Sequence, residues 1–463
     1  MFLFNPNVRW RRSVLALGML APMVAMATPA TAAVSTETQY IFNTFSFLIH
    51  GVLVMFMAAG FAMLESGLVR KKNTAVICLK NIALYSIAGL MFYIIGYTVL
   101  YPGDWIIDGI FGELSLFYDP APKELALMSL SAADQVDATK VAAALNEVLK
   151  DDYSKPSDWF FQMVFVATAA SIVSGTVAER IKIWPFLIFV VVLAALIYPI
   201  QASWVWGGGW LDKMGFSDYA GSTLVHSTGG WAALAGAILL GSRKGKYSTT
   251  GQVQPMPGAN LPLATLGTFI LWFGWFGFNG GSALALGSAA KVAEISIVYA
   301  NTNIAAAAGV VIALLLTQMR YGKIDLTMAL NGAIGGLVAI TAGPDVDAHW
   351  KAIVIGGIGG ALVVFAIPMF DKLRVDDVVG ALSAHLVAGI WGTLAVGIFG
   401  SGDIGVQLIG VVAIGAFVFI ASFVVWFILK STVGIRVDEE SELNGLDIAE
   451  VGMEAYPEFG QSS

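Results

Sequence analysis

Eleven apolar stretches run through this chain, near residues 41–64, 76–100, 159–177, 184–205, 220–241, 261–280, 297–318, 326–342, 351–370, 378–399 and 404–429. Each is long enough, or nearly so, to cross ~30 Å of hydrocarbon as a helix. In lipid a spanning segment must satisfy its own backbone polar groups, which favours helices for such runs. This feature removes the soluble reading of about three domains that the length would otherwise allow. Composition agrees: 57% of residues are hydrophobic and 12% charged, against roughly 25% charged in soluble domains. The 51 glycines suit helices that approach closely in lipid. The eighth stretch is the shortest and is rich in glycine. The single cysteine, Cys78, leaves no internal disulfide framework. The expectation is an all-α integral membrane protein.

Residues 1–32 read as a signal peptide: Arg9, Arg11 and Arg12 precede an apolar run from Val14 to Ala27, and Ala30-Thr31-Ala32 offers a cleavage site. Removal of the signal would leave the new N-terminus outside. The loops then fall into two classes. Twelve bases (Arg70, Lys71, Lys72, Arg180, Lys182, Arg243, Lys244, Lys246, Arg320, Lys323, Lys372 and Arg374) lie in loops facing the cytoplasm, against Lys213, Lys291 and Lys351 in the short outer loops. This asymmetry obeys the positive-inside rule and puts the C-terminus inside after eleven spans. The membrane domain covers 33–430. Within it, residues 104–158 form an outer insertion with eleven acids and four bases, and 138–150 reads as a short helix. Residues 431–463 form an acidic cytoplasmic tail. Its Glu439, Glu440, Asp447, Glu450 and Glu454 look solvated and favour disorder, while Gly445-Leu446 and Ala455-Tyr456 argue that part of it docks.

An internal repeat points at a site. The fifth stretch reads Asp218-x-x-Gly221-x-x-x-x-His226-x-x-x-Gly230, and the tenth reads Asp377-x-x-Gly380-x-x-x-x-His385-x-x-x-Gly389. Trp231 and Trp391 follow, one residue out of register. The repeat unit is therefore five spans. Five is odd, so the halves insert with opposite orientation, as in many transporters. Eight residues of helix would carry each histidine ~12 Å from its aspartate, close to half of the ~30 Å hydrocarbon thickness. Both imidazoles should then meet at mid-membrane. A lone histidine there could be a packing residue; two in symmetric positions argue for a pathway, because ionisable groups in lipid are costly. Two neutral imidazoles sharing one hydrogen would fix each other's tautomers.

At these residues the chain resembles the ammonium transporter/methylammonium permease/Rhesus family, from about residue 40 to the C-terminus. The resemblance rests on Asp218-Tyr219-Ala220-Gly221-Ser222, Val225-His226, Gly229-Gly230 and Gly241-Ser242-Arg243, on Trp204-Val205-Trp206-Gly207-Gly208-Gly209-Trp210, on Trp272 through Asn279, and on Ala178-Glu179-Arg180. In the tail Gly434, Arg436, Glu439, Glu440, Gly445-Leu446-Asp447, Glu450 and Ala455-Tyr456 fit the ammonium transporter branch better than the Rhesus branch. The chain departs from the family at Val378, Leu386, Ala388 and Val451. The resemblance implies a homotrimer with a pore in each subunit, and ammonium or ammonia as substrate with methylammonium as analogue. It implies that His226 and His385 are the twin histidines of the pore, Phe165 and Phe278 its outer gate, and Phe161, Trp206 and Ser282 the ammonium recruitment site. Trp275 would line the pore beside the histidines. Asp218 would organise the outer vestibule without touching substrate, with Asp377 its counterpart in the second half. It also implies a bacterial inner-membrane location and a PII-type signalling protein as partner at the cytoplasmic face.

An aromatic face and a hydroxyl can replace part of the water around ammonium, the cation–π part contributing ~0.5–2 kcal/mol. Ammonium can surrender a proton at the gate where potassium cannot, and ammonia can enter an apolar bore that rejects a bare ion. Three other readings compete: an ammonium sensor signalling to a cytoplasmic partner, a membrane enzyme, and an unrelated inverted-repeat symporter. Two histidines without a nearby carboxylate or thiol are too few for a metal site. No cofactor is expected.

Overall fold

The computed structural model describes residues 34–119, 122–131, 134 and 136–457. The segment read as a signal peptide lies outside the described residues. Eleven helices carry the fold: α1 (Thr36–Leu68), α2 (Lys71–Leu100), α3 (Lys155–Val177), α4 (Ile183–Ser203), α5 (Ser222–Leu240), α6 (Leu261–Gly281), α7 (Ala289–Tyr321), α8 (Leu326–Ile340), α9 (His349–Lys372), α10 (Leu382–Phe399) and α11 (Ile404–Thr432). Ten of them, among the described residues, are long and apolar enough to cross a membrane; α8, with 15 residues, falls short of that length. The boundaries follow local chemistry. Ser35, Asn260, Ser288, Asp325 and Asp403 each accept a backbone N–H of the following helix through their side chains, which satisfies donors that the helix itself cannot. Pro156 and Pro262 stand in the first turns of α3 and α6, where the missing N–H costs nothing.

The two halves of the chain are interleaved around one core. The longest shared interface is that of α1 with α6, the first helix of each repeat, followed by the mutual packing of α7, α8 and α9. The third helix of each half is the most enclosed: α3 is buried along nearly its whole length, as is α8 from Ala329 to Ile340. Glycines on α7, α8 and α9 meet at backbone distance, the usual device for close helices in lipid.

The insertion between α2 and α3 contains a small antiparallel hairpin, β1 (Trp105–Ile107) with β2 (Phe111–Gly112), and two helices, Pro122–Met128 and Ala138–Val148. It is tied to the start of α1: Tyr40 donates its hydroxyl hydrogen to Glu124, and the Asn43 amide donates to the Asp152 carbonyl.

The tail corrects the expectation of a solvated acidic segment in part: Glu439, Glu440 and Glu454 are exposed, but Asp447 is buried, Glu450 is half-buried, and Leu446 docks as its sequence argued. Through residue 457 it is seated on the opposite end of the bundle. Arg436 donates to the Leu240 and Ser242 carbonyls and pairs with Glu442 at 2.7 Å. Glu442 and Asp447 are buried, and they accept the backbone N–H groups of Lys244 and Val76. Glu450 accepts from the Ile183 N–H, the first residue of α4. These carboxylates cap helix starts and loops of the membrane domain. Charge count alone could not reveal that use.

Candidate functional site

The repeated Asp-x-x-Gly motif builds the site twice. Neither aspartate opens a helix of eight residues leading to its histidine, as the spacing suggested. The chain first turns at Gly221 (φ 106°) and Gly380 (φ 82°), a left-handed conformation that glycine alone adopts freely. Helix then begins at Ser222 and Leu382, in wide π-type turns spanning Ser222–Ser227 and Leu382–Val387. Each of these turns carries one histidine. The aspartates sit beneath them as anchors. Asp218 accepts four backbone N–H groups, those of Gly221, Ser222, Thr223 and Leu224, at 2.8–3.0 Å. Asp377 accepts the N–H groups of Ala381 and Leu382 and the Thr176 hydroxyl. Burial raises the pKa of both carboxyls, and the accepted hydrogen bonds oppose that rise; Asp377 stands at about 6.

Further along, Gly230 and Gly389 let α5 and α10 touch. A Cβ at Gly389 would lie 2.5 Å from the Ser222 carbonyl, and one at Gly230 would lie 2.6 Å from the Leu386 Cβ. The result is that His226 and His385 meet with 3.3 Å between their Nδ1 atoms, both buried. Only one of two facing nitrogens can hold the hydrogen, so the contact couples the two tautomers. The Nε2 atom of His226 has no protein partner among the described residues.

The histidines belong to a continuous line of rings. Phe165 stacks on Phe278 (centroids 4.0 Å apart, planes at 20°). Phe278 stacks on His226 at 5.1 Å, His226 meets His385 at 5.3 Å, and His385 meets Phe61 at 6.1 Å. Trp275 covers one face of His226 at 4.9 Å, its indole N–H held by the Thr341 hydroxyl at 2.8 Å. Before this line, on the insertion side, lies a cavity of about 270 Å³ lined by Phe161, Phe165, Trp206, Asp218 and Ser282 among others. Beyond it, on the tail side, a space of about 10 Å³ beside His385 and Phe61 leads toward a larger cavity of about 460 Å³. Asn331 and Val379 line both of these. All ten residues singled out from the sequence thus belong to the ring contacts or line the cavities at their two ends. The stacked phenylalanines stand at the first of these cavities.

Several lining residues were not legible in the sequence. Tyr101, Gln162, Phe216 and Tyr219 complete the first cavity, and Phe61 ends the ring line. As aromatics and amides in an aromatic-rich chain they carried no distinguishing mark. Glu65 and Lys80 did carry one. Glu65 borders the first apolar stretch and Lys80 lies within the second, and both are buried.

A charged cluster ties the tail-side loops together. Arg243 grips Asp376 with two hydrogen bonds at 2.8 and 2.9 Å and reaches Glu179 at 2.9 Å; Glu179 also pairs with Arg70. Arg180, fully buried, donates to the carbonyls of Thr176, Ala178, Gly241 and Asp376. Burial alone would raise the Asp376 carboxyl, but Arg243 and Arg180 hold it well below the usual carboxylate range. The Ala178-Glu179-Arg180 and Gly241-Ser242-Arg243 strings therefore act as structural clamps among the tail-side loops.

The profile of the Ammonium Transporter Family matches residues 45–456. The chain is similar to the ammonium transporter Amt2 of Archaeoglobus fulgidus, 41% identical over 443 residues that span 89% of this chain and 87% of that protein. A solved structure described as a sensor Amt protein superposes with a TM-score of 0.79 at 35% identity, covering 90% of this chain and all of the other. The crystal structure of Mep2 from Saccharomyces cerevisiae gives 0.74 at 25% identity, over 88% of this chain and 91% of that one. With the repeat, the ring line and the paired histidines in place, the chain belongs to the ammonium transporter family.

Proposed function

We propose that the protein carries ammonium across a bacterial inner membrane by separating it into ammonia and a proton at the ring line, with net inward movement of charge. The observation that carries this reading is the closed stack of Phe165 on Phe278 directly above the buried His226–His385 pair. A hydrated cation cannot pass stacked rings, and a bare one would lose its water to an apolar bore at prohibitive cost. Ammonia needs only a small opening of the two rings, and it finds the imidazole nitrogens as donors and acceptors beyond them. Recruitment falls to the first cavity. Phe161, Phe165 and Trp206 present ring faces to a cation there, while the Ser282 hydroxyl, now donating to the Phe278 carbonyl at 2.9 Å, has lone pairs left to accept from it. Asp218 holds the α5 start in place and is fully engaged by backbone, so its part is positional. Trp275, fixed through Thr341, keeps the His226 ring from turning.

The orientation follows the loop charges: insertion outside, tail and basic loops inside. In this reading α8 is the eighth of eleven crossings. Its 15 residues would extend ~22 Å at 1.5 Å per residue, less than the hydrocarbon thickness. That is tolerable for a helix enclosed by protein, because lipid does not meet its ends. The signal peptide, the homotrimer and a PII-type protein docking at the cytoplasmic face complete the proposal. Support for control through the tail comes from its seat on the starts of α2 and α4 and on the loop before α6. An ammonium sensor is the alternative, favoured by the likeness to a structure described as a sensor Amt protein.

Purified protein in liposomes should take up labelled methylammonium and give an ammonium-evoked current that excludes potassium. Uptake without current would leave gas conduction. Neither uptake nor current, with ammonium still binding, would favour the sensor.

A further inference from the structure

The tail-side end of the ring line is not apolar. Glu65 of α1 lines the small space beside His385, together with Ser171, Asn331 and Phe61. It is 1% exposed. Its Oε2 accepts the Ser174 hydroxyl at 2.7 Å, and its Oε1 is buried without a hydrogen-bond partner among the described residues. Lys80 of α2, also 1% exposed, donates to the Ser174 carbonyl at 2.9 Å and lies 5.0 Å from the centre of the Phe186 ring. Ser174 therefore bridges acid and base, and the two act on each other electrostatically. Asn81 neighbours the carboxylate, and Arg180 is the further charge that acts on Lys80. Around the Glu65 carboxyl the ionisable groups are thus Lys80 from α2 and His385 from α10; α3 and α8 contribute serines, Asn331 and apolar side chains. A buried pair of this kind is poor at stabilising a fold, because desolvation offsets the attraction. Inside a membrane such groups mark pathways more often than packing. The space that Glu65 lines, about 10 Å³, is close to what one water needs.

Resting on the reading of a histidine-relayed proton given above, we propose that Glu65 is the proton station on the tail side of the pore. The proton balance is simple. His226 takes the proton given up by ammonium on its Nε2, unpartnered among the described residues, and passes its Nδ1 hydrogen to Nδ1 of His385. His385 releases its Nε2 hydrogen to a water in the space, so both rings stay neutral overall, and that water passes one of its own protons to the Glu65 carboxylate, converting it to carboxylic acid. Ammonia emerging past Phe61 takes this proton, leaves as ammonium toward the larger cavity, and restores the carboxylate. No electrons are exchanged. Lys80 supplies a countercharge to the empty carboxylate, and the Ser174 hydroxyl holds Oε2. The substrate is thereby reassembled before it reaches the vestibule bordered by Asp377 and Ser383.

The test uses the full chain in liposomes with four variants. Glu65→Gln removes the proton acceptor at constant size. Glu65→Gln combined with Lys80→Gln removes both charges, so that no ion is left buried alone. Glu65→Asp keeps a carboxylate, and His385→Ala reports on the parent reading. The expected result is a drop of tenfold or more in maximal ammonium-evoked current for both Gln variants. The half-saturating ammonium concentration should stay within twofold of wild type, since recruitment lies on the other side of the gate. Glu65→Asp should recover at least part of the current. Full current in a folded double variant, while His385→Ala alters current or selectivity, overturns the station and leaves the histidine relay standing. Full current in all variants, His385→Ala included, removes both. Failure of both Gln variants to assemble, or a matched loss of half-saturation and current, assigns the pair to structure and overturns the proposal.

Discussion

Replacing Asp218 by asparagine tests whether the aspartate is an anchor. The carboxylate accepts two N–H groups on each oxygen: Gly221 and Ser222 on Oδ1, Thr223 and Leu224 on Oδ2. An amide keeps the shape but turns one acceptor into a donor, which then faces two backbone donors. Bonds to a charged acceptor contribute about 1.5–3 kcal/mol each, so losing two costs about 3–6 kcal/mol. Asp377→Asn is the internal control. Its Oδ2 accepts only the Leu382 N–H, and Oδ1 can keep Ala381 and the Thr176 hydroxyl. The expected loss there is a single bond, about 1.5–3 kcal/mol. Unfolding in mixed micelles, titrated with SDS and followed by tryptophan fluorescence, should rank wild type above Asp377→Asn and Asp377→Asn above Asp218→Asn. His226 rides on the same π-type turn, so the Asp218 variant should also lose ammonium-evoked current. Equal stability of the two variants, or an unchanged midpoint for Asp218→Asn, would refute the anchoring argument.

Other outcomes follow from the same geometry. His226→Ala or His385→Ala leaves the remaining imidazole without its partner, a cost of ~1–3 kcal/mol unless water enters; parallel ammonium and potassium currents should show lost transport or lost potassium exclusion. Phe278→Ala removes a ring that stacks on both Phe165 and His226, and it should admit water and reduce discrimination against potassium in the same assay. Removal of residues 437–463 uncaps Lys244, Val76 and Ile183, and should lower flux or abolish its control; unaltered flux and control in the truncated protein would deny the tail any such role. The neighbouring acids should show opposite pH signs. Asp376 has a depressed folded pKa, so its stabilising share is complete above the ordinary value near ~4 and is lost as pH falls below it. Asp377 is raised to about 6, so its protonation favours the fold as pH falls from about 6 to ~4. Thermal midpoints should lose the slope below ~4 in the Asp376→Asn variant and the slope between ~4 and about 6 in the Asp377→Asn variant.

The apolar periods and the five-span repeat were decided by sequence, because lipid allows few alternatives for such runs and because each half repeats the same Asp, Gly, His and Gly spacing. That spacing was enough to name His226 and His385 as partners, since symmetry brings equivalent positions together. It did not disclose how they are held. The turns at Gly221 and Gly380, the π-type starts of α5 and α10, and the four N–H groups on Asp218 depend on neighbouring segments folding back over one another. The aromatic residues were legible only through resemblance: in a chain with 28 phenylalanines, Phe165 and Phe278 are set apart by stacking on each other beside His226. Two acids of the tail, Asp447 and Glu450, were misread for a related reason. Acidity predicts solvation unless another segment presents unsatisfied N–H groups, and those belong to helix starts remote in sequence. Glu65 and Lys80 were visible as charges in greasy surroundings, yet their link through Ser174 and their place beside His385 required α1, α2, α3 and α10 to converge. Local spacing thus settled which segments form apolar helices and which residues recur by symmetry, whereas the other partners more than a few turns away were decided by tertiary packing, the level at which distant polar groups acquire a common address.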